Sequence, residues 1–392
     1  MRSSRQAVLD RLTPETYGTH WMLCFSGMAS QNSGTQSFLA THPRHLLTGQ
    51  HYTQLPTEGL WFGGLGYGMR CDTEALPRGK PPTISLPDLH LFQPAKVESW
   101  QHDEDETISA EASTVSVNTL HSNMSKQAYL ARVEATLEHI AAGNVYQANI
   151  TRKFYGEFDQ APDPVALFKR LCAISPSPYA ALMRWENVWV LSSSPEGFVQ
   201  GDAAGRLVVR PIKGTGSKDN AALEESAKDR AENLMIVDLM RNDLARICDP
   251  ESVRVEALCE IHEFATLRQM ISTISGQRRN GCGFSEILPA LFPPGSMTGA
   301  PKIAAMRWCD AQEGMERGLY SGALGWLNAD DLSCDLSVVI RTLLLQGNRF
   351  EFQVGGGIVA DSDPEAEWRE SLLKAQAICR LLGLPESRLT QL

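Results

Sequence analysis

Residues 335–382 read DLSVVIRTLLLQGNRFEFQVGGGIVADSDPEAEWRESLLKAQAICRLL. Two apolar runs, near 335–344 and 350–354, follow one another with no helix between them, and Gly355, Gly356 and Gly357 come straight after the second. A helix is then predicted over 364–382, with Asp363 as its cap and Pro364 in its first turn. Upstream the pattern repeats: strands near 188–193 and 206–212 precede a helix over 221–246, and a strand near 320–327 precedes the two just described. Further helices are predicted at 126–142, 164–172, 285–291 and 300–313. In the first of these, Ser125 caps, Leu130, Val133, Leu137 and Ile140 recur at helical spacing, and Gly143 ends the run. Strands that arrive in pairs break the regular βαβα rhythm of a doubly wound fold, so the chain reads as α+β with antiparallel sheets.

Residues 1–122 form an amino-terminal β-rich region of short apolar runs such as Trp21 to Phe25 and Leu60 to Tyr67, and 123–385 a second region that carries the helices. The chain has 392 residues, 43% of them hydrophobic, enough to bury a large core in one layered unit or two to three domains. A net charge of −10 repels polyanions, which argues against nucleic acid and anionic membrane as partners. The nine cysteines are scattered and never spaced as CxxC, so neither a disulfide frame nor a zinc site is expected. With no export signal and no apolar span of membrane length, a cytoplasmic location is expected.

Common signatures fail on spacing. Gly295 to Lys302 (GSMTGAPK) puts three residues between its glycines and is not a P-loop; His262 Glu263 lacks the second histidine of a zincin; there is no GxSxG elbow. What remains is a set of carboxylates and one lysine. Asp229 and Glu232 stand at i, i+3 on one predicted helix, and Glu367 and Glu370 repeat that spacing on the last one, with Lys374 a turn further along the same stripe. Such pairs read either as solvated helix faces or as oxygen ligands for a hard divalent cation such as Mg²⁺. Lys213, at a strand end running into Gly214, is either an exposed turn lysine or, partly desolvated, a nucleophile. Glu196 closes the preceding strand, and a carboxylic acid beside a nucleophile is an acid–base arrangement. The bare amides of Gly355, Gly356 and Gly357 suit an anionic oxygen as well as a tight turn.

In this order the pieces resemble the chorismate-utilising enzymes. The matching blocks are Gly143 to Asn149, Ser194 Pro195 Glu196, Pro211 to Thr215, Lys228 to Leu239 with Arg241 Asn242 Asp243, Gly295 to Lys302, Ile340 Arg341 Thr342, and Gly355 to Glu370. The resemblance covers about 143–374 strongly and the first 120 residues weakly. It implies a fold of mixed, largely antiparallel sheets forming a layered core surrounded by helices. Two positions discriminate within the family. Lys213 resembles the branch of aminodeoxychorismate synthase component I, where anthranilate synthases carry alanine, and Gln147 stands where isochorismate and salicylate synthases carry a water-activating lysine.

The resemblance therefore implies amination of chorismate at C4, giving 4-amino-4-deoxychorismate for p-aminobenzoate and folate synthesis, with Lys213 adding at C2 and Glu196 protonating the departing hydroxyl. It implies Mg²⁺ on Glu232 and Glu370, supported by Asp229 and Glu367. Tyr320, Arg341 and the amides of Gly355 to Gly357 would hold the enolpyruvyl carboxylate, Lys374 would balance charge, and Thr298 would face the ring. Ammonia is expected from a glutamine amidotransferase partner, since no amidotransferase segment is recognisable here. Gly197, Ala245 and Pro294 depart from the family's usual arginine, glycine and glycine, and Gln269 from the histidine of anthranilate synthases. The alternatives are anthranilate synthase component I and a non-catalytic chorismate-binding paralogue.

Overall fold

The computed structural model of the protein describes residues 4–26, 36–74, 76, 78–101, 108–110, 115–217, 226–263 and 267–392. Its first strands are β1 (His20–Ser26), β2 (Gln36–Gly49), β3 (Leu60–Leu65), β4 (Leu89–Gln101) and β5 (Val117–Ser122). There follow β6 (Gln147–Phe158), β7 (Tyr179–Trp185), β8 (Val188–Ser194), β9 (Gly197–Gly201), β10 (Arg206–Val209), β11 (Ile212–Ser217), β12 (Arg254–Glu263) and β13 (Leu267–Gln277). The last are β14 (Gly299–Ala300), β15 (Ala323–Asn328), β16 (Ser333–Val338), β17 (Thr342–Gln346) and β18 (Arg349–Ile358). The helices are α1 (Arg5–Asp10), α2 (Arg70–Thr73), α3 (Lys126–Ala141), α4 (Pro164–Ile174), α5 (Ala227–Ala245), α6 (Phe284–Leu291), α7 (Lys302–Glu313), α8 (Pro364–Leu382) and α9 (Glu386–Thr390).

Alternate strand residues enter different cores, as a period of two requires. In β1, Trp21, Leu23 and Phe25 pack toward α3, α4 and α8, whereas Met22 faces the other way. In β17, Leu343 and Leu345 join the first core and Leu344 the inner one. Across the molecule, Leu327 of β15 and Leu89 and Leu91 of β4 join a core with α5 and α6, while Leu324 and Phe92 share the inner core with Met22. The result is four layers: helices, sheet, sheet, helices. Hydrogen-bonded neighbours run β5–β6–β18–β17–β8–β7–β1–β2–β4–β3–β15–β16–β9–β10–β13–β12, all antiparallel. This is the mixed, largely antiparallel layered fold expected. Strands from 1–122 alternate with later ones in this walk, so both regions of the chain share one sheet system.

Several boundaries differ from the sequence reading. The run 335–344 is two strands, because β16 pairs with β9 and β15 whereas β17 pairs with β8 and β18. The chain changes sheets between them, and Arg341 takes a left-handed φ of 49° at the crossing. The run 206–212 likewise splits into β10 and β11, and the strand predicted at 320–327 starts at Ala323. The strand predicted to end at 354 continues to Ile358, with all three glycines still laddered to β6. Of the helix predicted over 221–246, 227–245 is helical and 221–225 lies outside the described residues. No helix among the described residues is long and apolar enough to cross a membrane.

Candidate active site

A cavity of about 680 Å³ opens where the two sheets part, with the amino-terminal turns of α5 and α8 on its walls. Each helix start is locally encoded. Ser226 accepts the Asp229 amide at 3.2 Å, and Asp363 accepts the Ala366 amide at 2.8 Å with Pro364 next in line. Asp229 and Glu367 thus sit in first helical turns, where the positive end of the helix dipole offsets part of the like-charge repulsion with Glu232 and Glu370. All four carboxylates line the cavity. Glu367 is buried and accepts the Ser362 hydroxyl at 2.6 Å; Glu370 is half exposed and meets Lys374 Nζ at 2.7 Å. That ammonium also donates to the Gly355 carbonyl at 3.0 Å, tying α8 to β18.

Lys213 enters from β11, beside a bulge where Gly214 has φ 77°. Its Nζ lies 3.8 Å from Glu232 Oε2, and both side chains are nearly buried. A Cβ on Gly357 would stand 2.4 Å from Gln147 Nε2 and 3.4 Å from Lys213 Nζ, so the missing side chain makes the space that the lysine uses. Glu196 lies at the turn from β8 to β9, 5% exposed, its Oε1 without a hydrogen-bond partner. Burial pushes its carboxyl up to about 7, against the opposing pull of Ser296 and then Lys213. The group is therefore a carboxylic acid with a proton to give near neutrality.

Arg341 lines the cavity from the sheet crossing, and among the described residues its guanidinium has no hydrogen bond or ion pair; burial lowers its pKa. An uncompensated, half-buried guanidinium in a cavity is a receptor for an anion such as a carboxylate. Tyr320, buried in the turn before β15, lines the same space. Gly355 and Gly357 line it too, but Gly356, one residue out of phase, does not. Thr298 is also set apart: its side chain is fully buried beside the carbonyls of Pro294 and Gly295 and does not line the cavity. The other candidate catalytic, substrate-binding and metal-binding residues all line this one cavity, whereas Gln147 stands behind it.

Two polar residues of this wall, Asn149 and Gln353, carried no separate chemical signal in the sequence. Asn149 donates to the Ser296 carbonyl at 3.0 Å, and its Oδ1 has no hydrogen-bond partner among the described residues. Gln353 reaches the wall from β18 and donates to the Arg317 carbonyl at 2.7 Å. Gln147, fully buried, has no hydrogen-bond partner for either amide atom among the described residues. Unsatisfied buried groups around one cavity are what a bound polar ligand would satisfy. The unusual Gly197 also finds a reason, since a Cβ there would meet the Tyr179 hydroxyl at 2.4 Å.

Among the described residues, no three His, Cys, Asp or Glu side chains converge closely enough to hold a metal ion. The donor set is nevertheless all oxygen: Asp229 and Glu232 on one wall, Glu367 and Glu370 on the other. That chemistry fits a hard divalent cation that keeps waters or takes substrate oxygens, and it does not fit zinc.

Residues 17–380 match the sequence pattern of the chorismate binding enzymes. Over 360 residues the chain is 34% identical to aminodeoxychorismate synthase component 1 of Escherichia coli, covering 85% of this chain and 79% of that protein. It is 34% identical over 362 residues to an aminodeoxychorismate synthase of Streptomyces griseus, covering 82% of this chain but 50% of that one, so it spans about half the length of that relative. Among solved structures, anthranilate synthase component I from Streptococcus pneumoniae superimposes with a TM-score of 0.76 at 24% identity, over 95% of this chain and 97% of that one. The menaquinone-specific isochorismate synthase from Escherichia coli gives 0.77 at 17% identity, over 95% and 91%. Both likenesses are of fold.

Proposed function

Because this chain belongs to the chorismate binding enzyme family, we propose that it aminates chorismate at C4 to 4-amino-4-deoxychorismate, using ammonia from a glutamine amidotransferase. The observation that carries the reading is the pairing, in one cavity, of the Lys213 amine with the buried acid Glu196. Names of relatives at 34% identity support it.

In this reading Lys213, as the free amine, attacks C2. The ring double bonds shift, the C4–O bond breaks, and Glu196 protonates the leaving hydroxyl so that it departs as water. Ammonia then attacks C4, the double bonds shift back, and the lysine nitrogen leaves C2 as the amine. The balance is chorismate plus ammonia to aminodeoxychorismate plus water, two allylic displacements in place of one hard substitution. Arg341, Tyr320 and the amides of Gly355 and Gly357 hold the enolpyruvyl carboxylate, while Lys374 offsets the charge of Glu370. Mg²⁺ bound by Glu232 and Glu370, with Asp229 and Glu367 in support, would neutralise the ring carboxylate and draw electron density from the ring.

The test is mass spectrometry of small molecules after mixing the chain with chorismate, Mg²⁺ and ammonium at about pH 8.5, where free ammonia is available. The expected product has OH replaced by NH₂ and retains the enolpyruvyl group. Anthranilate with pyruvate, or unchanged chorismate, would overturn the proposal. Lys213→Ala is expected to abolish the product, and undiminished formation would remove the covalent role.

A further inference from the structure

The cavity wall has a second layer behind β18. A Cβ at Gly356 would lie 3.1 Å from Glu367 Oε2, 3.8 Å from the Tyr129 hydroxyl and 4.0 Å from Lys374 Nζ, so three polar tips surround one point. Glu367 and Lys374 line the cavity from this point; Tyr129, from the first turn of α3, stands behind them and does not. Tyr129 is fully buried, its ring packs against Trp368 with centroids 5.6 Å apart, and its hydroxyl has no hydrogen-bond partner among the described residues. Beneath it lies Arg152, also fully buried, stacked 3.9 Å from the Trp368 ring and 4.3 Å from Phe154, with none of its three nitrogens hydrogen-bonded.

Phenylalanine would fill the Tyr129 site without burying a hydroxyl that lacks a partner, so packing alone gives the oxygen no reason to be there. A phenol donates well to a carboxylate. Ser362 already holds Oε1 of Glu367, and Oε2 is the oxygen nearest the point at Gly356 that the Tyr129 hydroxyl also approaches. Donors behind a ligating carboxylate fix its direction, and their removal typically weakens metal binding.

We propose that Tyr129 is a positioning residue for Glu367: its hydroxyl donates to Oε2 when the cation binds and fixes how that carboxylate meets the site. The inference rests on the reading of Glu367 as a support of the Mg²⁺ site. The experiment is calorimetric titration of Mg²⁺ into the chain saturated with chorismate, without ammonia, for wild type, Tyr129→Phe, Glu367→Gln and the double variant, with melting temperatures of the unloaded proteins. Tyr129→Phe is expected to weaken Mg²⁺ binding about ten-fold without lowering the melting temperature, and to add nothing in the Glu367→Gln background. Wild-type affinity in Tyr129→Phe, with weakened binding in Glu367→Gln, would overturn the positioning role and leave the reading of Glu367 intact. A full additional loss in the double variant would overturn it as well. Wild-type affinity in Glu367→Gln would instead remove Glu367 from the cation site, and the proposal with it.

Discussion

Replacing Glu196 by glutamine tests the acid while preserving the shape of the site. Burial lifts this carboxyl from 4.5 to about 7, which at ~1.4 kcal/mol per unit makes its ionisation roughly 3 kcal/mol costlier in the fold than in the unfolded chain. Between those two values the folded chain binds the proton more tightly. Wild-type stability therefore falls as pH rises through this window, and the loss is complete above about 7; below 4.5 it is absent. Glutamine has no such dependence. The unfolding free energy of Glu196→Gln relative to wild type is expected to rise by roughly 3 kcal/mol from about pH 4 to about pH 8, read from urea midpoints of both proteins at several pH values. Turnover moves in the opposite sense: the variant should lose about 100-fold or more in kcat, the usual range for a general acid, and wild-type kcat at saturating free ammonia should decline above about pH 7. A stability difference that stays flat with pH would refute the buried acid, and a variant keeping more than about a tenth of wild-type kcat would refute its catalytic use.

Gly357→Ala places a methyl 2.4 Å from Gln147 Nε2 and 3.4 Å from Lys213 Nζ, so turnover should fall roughly ten-fold or more; a wild-type rate would show that this gap is not used. Arg341→Met keeps the stem and removes a charge that burial leaves desolvated in the cavity wall, so KM for chorismate should rise roughly 10- to 100-fold with no loss of melting temperature. An unchanged KM would take Arg341 out of the substrate site. Excess chelator should abolish product formation if the carboxylates of α5 and α8 hold Mg²⁺, and turnover that persists would exclude the cation from the reaction.

Local interactions alone place the acidic stripes: i, i+3 spacing on a helix puts Asp229 with Glu232 and Glu367 with Glu370, and the caps Ser226 and Asp363 set where each helix starts. Order and identity of residues also carried the family and the pairing of Lys213 with Glu196, because a linear motif records chemistry even when its parts lie far apart in the chain. Other features depend on partners distant in sequence. The run 335–344 holds no glycine, proline or turn pair to mark a break, and only the separate pairing of β16 with β9 and β17 with β8 makes it break at Arg341. Nothing in three consecutive glycines says that β6 will keep them in a strand, which turns Gly355 and Gly357 toward the cavity and Gly356 toward Tyr129. Thr298 looked no different from its neighbours until its hydroxyl met the carbonyls of its own turn. Burial of Glu196, the placement of Arg341 in the cavity wall and the second layer at Tyr129 are likewise products of packing. Periodicity is a property of adjacent residues, whereas desolvation and partnership are properties of the atoms that the whole fold brings around them.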